Sequence, residues 1–361
     1  MSKKKQLTFA NMSPNPLEIN SAGKSETRSS SSRPTTLRSR RPRSTQVFET
    51  YWKFAAKRQE LFFARIEHPN QGFWTDDPIL QEHKFTNAYR ASDRVSQYLI
   101  RQVIYGGDFD LQDTVFRILL FKFFNKIETW EHLERQLGPI TWSSYDYSAY
   151  DSALTKLLDR KQTIYSAAYI MASGRSAFGE SRKHRNHLKI IQKMMDDRLP
   201  DRIYQSPNLK YVYETLIEFP AVGPFFGFQL TIDLNYSEIL QFDENDFVVA
   251  GPGALDGIRK CFEDTGDMSA PDIIRFATDY QHQAFDDLDI DFRDLWGRPL
   301  HLIDCQNLFC EVDKYARVAH PEFTGKSGRK RIKQKFRPNL RPISYWYPPK
   351  WGLNEKIAGT A

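Results

Sequence analysis

The chain has 361 residues, of which 40% are hydrophobic and 14% aromatic, enough to fill a sizeable core in one large or two ordinary domains. It has no apolar run of about eighteen residues and no apolar segment behind its Lys-rich start, which argues against a membrane span and a secretory signal. The net charge of +6 is uneven: residues 1–46 hold ten Lys and Arg against two Glu, residues 325–341 hold eight and no acid, and residues 47–324 are net acidic. An intracellular location is expected, nuclear in a eukaryote and cytoplasmic or nucleoid otherwise.

Residues 1–46 are rich in Ser, Thr, Pro and Arg and poor in large apolar groups, so they cannot repay the entropy of ordering and are expected to form a disordered basic arm. Such an arm either attracts nucleic-acid phosphates or serves as a solubilising or targeting tail. From Val47 apolar residues recur at helical spacing, beginning with Phe48, Tyr51, Trp52, Ala55, Leu61 and Phe62. Similar patterns cover 85–104, 112–125, 150–172, 181–197, 270–288 and 299–316. The best strand signal is Phe247-Val248-Val249, and no internal repeat is visible. A mostly α fold is therefore predicted. Residues 321–361 form a basic tail whose Pro- and aromatic-rich part is expected to pack on the core.

The three cysteines, Cys261, Cys305 and Cys310, are an odd number without paired spacing and suit free thiols. His301 and Cys305 alone make no metal site, and no cofactor is implied. The stretches Ala22–Ser25 and Thr324–Ser327 look like phosphate-binding loops. Both lack the motif's first glycine and follow no predicted strand, so this chain is not expected to be a phosphate-binding-loop kinase itself.

A helix predicted from Phe85 places Asn87, Arg90, Arg94, Gln97 and Arg101 on one side, either as a solvated face or as part of a site. The segment 115–124 is apolar around its whole circumference except for Arg117 and Lys122, which must reach water or find an anion. In 302–316, Leu302, Cys305, Phe309, Val312 and Ala316 form a packed side. Asp304, Asn307, Glu311 and Lys314 align opposite, as a solvent face with a Glu311–Lys314 pair or as the lining of a cleft.

Residues 219–230, FPAVGPFFGFQL, predict a helix, a tight turn at Gly223 and a second helix starting at Pro224. The unpaired N–H groups at Val222, Gly223 and Phe225 would then suit a DNA phosphate, although an ordinary helical corner has the same shape. The turn resembles the helix-hairpin-helix of DNA glycosylases, with Ala221 in place of the first glycine. The expected catalytic aspartate is missing from the following FVVAGPGALDGIRK, where Gly251 and Gly253 free the backbone at the entry to another helix.

KFTNAYRASDRVSQYLI at 84–100, FRILLFKFFNKIETWEHLE at 116–134, the hairpin with its glycine turn, and DCQNLFCEVDKY at 304–315 together resemble one family. It is the helical domain of 5-hydroxymethyl-deoxyuridine DNA kinases and the related alpha-glutamyl/putrescinyl thymine pyrophosphorylases, associated with DNA base hypermodification. The resemblance covers roughly 47–320. It implies a helical, glycosylase-like domain that acts on a flipped 5-hydroxymethylpyrimidine-derived base in double-stranded DNA, by group transfer at the 5-hydroxymethyl position.

On that resemblance Asp304 or Glu311 activates the nucleophile, and Arg90 or Lys122 neutralises a leaving phosphate. Asn87, Tyr89, Asp93, Arg117, Asn307, Lys314, Gly251 and Gly253 contact the substrate. A separate kinase or hydroxylase would act upstream. Excision of the modified base and non-catalytic reading of modified DNA remain as alternatives.

Overall fold

The computed structural model describes residues 40–71, 73–167, 171–338 and 344–358. Most of the predicted arm, and the look-alike at 22–25, lie outside the described residues. Residues 40–46 are ordered: β1 (Arg43–Ser44) pairs antiparallel with β2 (Phe262–Asp264), and Arg40 N donates to Asp267 Oδ2 at 2.7 Å.

All other regular structure among the described residues is helical. The first half carries α1 (Gln46–Glu67), α2 (Pro78–Glu82), α3 (Arg94–Tyr98), α4 (Leu111–Phe124), α5 (Ile127–Leu137), α6 (Tyr147–Asp159) and α7 (Arg175–Phe178). The second half carries α8 (Lys183–Asp196), α9 (Leu199–Tyr204), α10 (Leu209–Ile217), α11 (Pro224–Asn235), α12 (Pro252–Cys261), α13 (Ala270–Asp287), α14 (Leu302–Ala319) and α15 (Asn354–Ala358). No helix among the described residues is long and apolar enough to cross a membrane.

Short polar residues set the helix starts. Thr45, Asp77, Asp110 and Asn208 each accept a hydrogen bond from the first turn of α1, α2, α4 and α10, and Ser269 with Asp272 forms a capping box on α13. The α12–α14 crossing is close because both glycines on the contact face of α12 are required there. A Cβ on Gly253 would overlap the Cys310 side chain, and one on Gly257 would overlap the Phe309 carbonyl. Lys260 and Asp313, both buried, pair across this contact at 3.0 Å.

Three predicted elements differ. The span 85–104 is not one helix: residues 84–87 have no regular structure, 88 and 89 bend, Arg90–Ser92 form a 3₁₀ turn, and α3 runs into a π-helical turn at Leu99–Ile104. Asp93 breaks the run by accepting the main-chain N–H of Asn87 at 2.8 Å, a local bond that competes with helix. The helix predicted for 150–172 ends at Asp159, and Phe247–Val249 form no strand. The 85–101 residues therefore do not form a stripe on one helix: Arg90 and Gln97 are buried, whereas Arg94 is exposed.

The tail does reach the core. Tyr347 is fully buried, and the Trp351 ring lies 5.7 Å from that of Tyr236. Residues 334–336 run beside 82–84, with Lys84 N donating to Gln334 O and Phe336 N to Glu82 O, both at 3.0 Å.

Candidate functional site

The segment 84–93 lies across one face of α14. Thr86 N donates to Glu311 Oε2 at 3.0 Å, Asn307 Nδ2 to Thr86 Oγ1 at 2.8 Å, and Arg90 N to Asp304 Oδ1 at 2.8 Å. The sequence-predicted residues Asn87, Arg90, Asp93, Asp304, Asn307, Glu311 and Lys314 thus come together, but as a seam between two pieces of backbone. Asp304 Oδ2 also accepts the N–H of His301, closing the start of α14, and burial raises its pKa. Glu311 pairs with Lys314 at 2.8 Å, and the Lys314 ammonium lies 4.6 Å over the Phe85 ring. Both carboxylates are buried and held by main-chain N–H groups. Tyr89 turns the other way, donating to Arg298 O at 2.7 Å.

The Arg90 side chain leaves the seam for the core. Its guanidinium donates to Gln229 Oε1 at 3.0 Å, Tyr236 OH at 2.9 Å and Asp233 Oδ1 at 2.7 Å, while Lys122 Nζ lies 2.8 Å from Asp233 Oδ2. Asp233 is the anion both cations needed, and sequence reasoning missed it. Its signal was available: Asp233 is the lone charge in α11, a helix buried over most of its length, as Lys122 is a charge in the buried part of α4. Burial lowers the Lys122 pKa to about 8.

Arg117 donates to the carbonyls of Val103, Ile140 and Gln102 at 2.8, 2.8 and 3.0 Å, closing the end of the Leu99–Ile104 turn, and stacks 3.7 Å over Phe109. These bonds explain a cation in a helix that is apolar all round.

The glycine turn meets α14 on a different flank. Gly251 faces Phe225 and Gln306, Gly253 faces Cys310, and none of these neighbours is an acid. At the hairpin the left-handed residue is Ala221, with φ 64°, rather than Gly223, which is extended at φ −77°. Val222 is buried and its N–H, expected to be unpaired, donates to Phe219 O at 3.2 Å within the turn, while Phe225 is half-buried. Gly223 is exposed, has nothing within 4 Å of a would-be Cβ, and starts α11 with no side-chain cap. The Thr324–Ser327 turn is filled from within, since Ser327 N lies 3.2 Å from Asp256 Oδ1. It borders an open groove of about 660 Å³ along α12 and β2.

A smaller cavity of about 320 Å³ lies between α1, the 84–94 segment and the tail. Its aromatic walls are Phe62, Trp74, Phe85, Phe336 and Tyr345. The cations Arg58, Arg65, Lys84, Arg94, Lys335 and Arg337 line it, Lys335 paired with Glu82, and Asp93 is the single carboxylate among its described lining residues. Arg58 is buried, donating to Thr86 O at 2.8 Å and Asn87 Oδ1 at 2.9 Å, and desolvation lowers its pKa. Burial pushes the Asp93 carboxyl up to about 7, against the N–H of Asn87 and the charge of Arg58, which favour the ionised form. A protonatable acid among cations and aromatic walls suits a planar, anionic ligand.

Residues 45–325 match the family described as 5-hmdU DNA kinase, helical domain. The chain belongs to this family. It is also similar to a 5-hmdU DNA kinase of Bacillus phage SP10, with 26% identity over 321 residues, covering 84% of this chain and 50% of the phage protein. The chain thus spans about half the length of the curated relative it matches. No solved structure matches it.

The span matched to the 5-hmdU DNA kinase helical domain includes the seam, the buried Arg90–Asp233–Lys122 cluster, the hairpin and the inner cavity wall. The outer wall, Lys335, Phe336, Arg337 and Tyr345, lies beyond it. Of the cavity residues, Arg58, Arg65, Trp74 and Tyr345 were not singled out from sequence as site residues. The signal for Arg58 is its place within the apolar stripe of α1, between Phe54 and Phe62.

Proposed function

We propose that this chain acts on a 5-hydroxymethylpyrimidine-derived base in double-stranded DNA, flipped into the Asp93 cavity, and transfers a group at the 5-hydroxymethyl position. The observation that carries this reading is the cavity: aromatic walls for a base, a cationic lining for phosphate, and one carboxylate whose pKa burial raises to about 7. Asp93 takes the proton of the incoming nucleophile, which forms its bond to the exocyclic carbon. The carbon–oxygen bond to an activated hydroxymethyl, such as its phosphate ester, breaks. Arg58, Arg65 and Arg94 balance the charge on the departing oxygen.

Asp304 and Glu311 serve this site indirectly, by fixing the segment that carries Asn87 and Asp93. Arg90 and Lys122 share the Asp233 carboxylate in the core. The exposed cations Arg329, Lys330, Arg331 and Lys333 lead along the tail to the cavity wall and suit a DNA backbone, as do the uncapped N–H groups at Gly223. Transfer is favoured over excision because the side chains nearest the glycine turn are not acids.

The test is to incubate the protein with duplexes carrying thymine, 5-hydroxymethyluracil, its phosphate ester or 5-hydroxymethylcytosine, with amine donors, and to measure base mass and abasic sites. A mass change at the modified uracil that Asp93→Asn abolishes is the expected result. Abasic sites would turn the reading to excision. Equal binding of all duplexes with no product would overturn it.

A further inference from the structure

We infer that Tyr345 is the residue on which the flipped base stacks, so that a residue outside the family-matched span sets the preference of the cavity for a modified duplex. This rests on the cavity reading above.

Three of the other four aromatic walls are engaged, and the fourth, Phe336, lies in the strand-like pairing with 82–84. The Trp74 ring carries Arg65 at 5.6 Å and its Nε1 donates to His68 O at 2.7 Å. The Phe85 ring carries Lys314. Phe62 is enclosed by Phe63, Trp296 and Tyr345. Tyr345 is half-buried at the cavity and meets Phe62 edge to face, with centroids 4.8 Å apart and planes at 64°. It lies close enough to Asp93, Arg58 and Arg65 to feel their charges, which puts it beside the proposed chemistry.

Its neighbours are pinned on both sides, so the ring is pre-positioned. Arg101 donates to Ser344 O at 2.6 Å, Trp346 N to Gln97 Oε1 at 2.8 Å, and the Tyr347 hydroxyl shares a 2.7 Å hydrogen bond with Ser92, itself a cavity residue. A ring fixed by its flanking main chain loses little entropy when a base arrives, and base–aromatic stacking tolerates any base with a π-face. Discrimination then comes from whether a base reaches the ring at all.

The test measures fluorescence-anisotropy affinity for a duplex carrying one 5-hydroxymethyluracil and for the same duplex with thymine, with thermal unfolding of each variant as the fold control. Tyr345→Phe should bind both duplexes like wild type. Tyr345→Ala should lose roughly tenfold on the modified duplex alone. Tyr345→Leu, which keeps apolar bulk without a π-face, should lose a similar factor and guards against a cavity collapse in the Ala variant. Wild-type affinity in both the Leu and Ala variants, with weakened Arg58→Ala, would overturn the role of Tyr345 and leave the cavity reading standing. If Arg58→Ala also binds like wild type, both fall. Equal losses on the two duplexes would overturn the role as well, because stacking of a flipped base predicts a loss on the modified duplex only.

Discussion

The main-chain N–H of Arg90 donates to Asp304 Oδ1 at 2.8 Å across 214 positions of sequence, and the second oxygen of the same carboxylate closes the start of α14. One buried acid thus fastens a helix terminus to the segment that carries the cavity. Asp304→Ala leaves both N–H groups without their acceptor and should cost about 2–3 kcal/mol of stability, read by denaturant unfolding. Asp304→Asn, which keeps one acceptor oxygen, should cost less. If Asp304→Ala unfolds like wild type but loses turnover, the carboxylate acts in the chemistry instead.

Asp233→Ala should be the more damaging change. It strips the shared anion from Arg90 and Lys122, both buried, and should cost about 3–5 kcal/mol. Lys122→Met should cost less, because Asp233 keeps Arg90. Thermal unfolding of the two variants side by side tests the order.

Asp93 predicts a pH profile. Its folded pKa of about 7 lies above the ordinary carboxylate value, so between about 4 and 7 the folded protein holds a proton that the unfolded chain has released. Stability from this group is therefore full below about pH 4 and declines as pH rises to about 7. Activity runs the opposite way. A general base works ionised, so the rate should climb through about pH 7 and level above it, and Asp93→Asn should remove that limb together with the stability slope.

At the hairpin two substitutions separate fold from binding. Gly223→Asp meets open space and should leave the melting temperature unchanged while weakening DNA binding on every sequence, by repelling phosphate. Ala221→Gly relieves a left-handed backbone at φ 64° and should stabilise by about 0.5–1 kcal/mol. A folded Gly223→Asp that binds DNA like wild type would reduce the hairpin to a structural corner.

Neutralising Arg329, Lys330 and Lys333 to Gln should flatten the dependence of log affinity on log salt by about 0.9 for each DNA phosphate that is no longer neutralised. An unchanged slope would remove this strip from the DNA surface.

Much of the fold was legible because periodicity survives packing. The packed side assigned to α14, from Leu302 to Ala316, is buried as expected, and the Glu311–Lys314 pair forms. Its opposite face could not be read from spacing, since a helix does not reveal whether solvent or the 84–93 segment covers it. The break at Asp93 was hidden for a similar reason. Ala88, Val95, Leu99 and Val103 keep helical spacing, yet a side-chain bond to Asn87 N outweighs propensity. The cavity was the least legible part, because Arg58, Asp93 and Tyr345 come from three separate stretches that no local pattern connects.

The strand-like pairing of residues 334–336 with 82–84 closes a loop of about 250 residues around the cavity. During synthesis the inner wall has long left the ribosome when Lys335 and Tyr345 emerge. A nascent chain can therefore pack most of its helices before the outer wall of the cavity docks. Proteolysis behind Ala319 would remove the outer wall together with the buried Tyr347 and Leu353, so the cavity and part of the core would be lost in one cut.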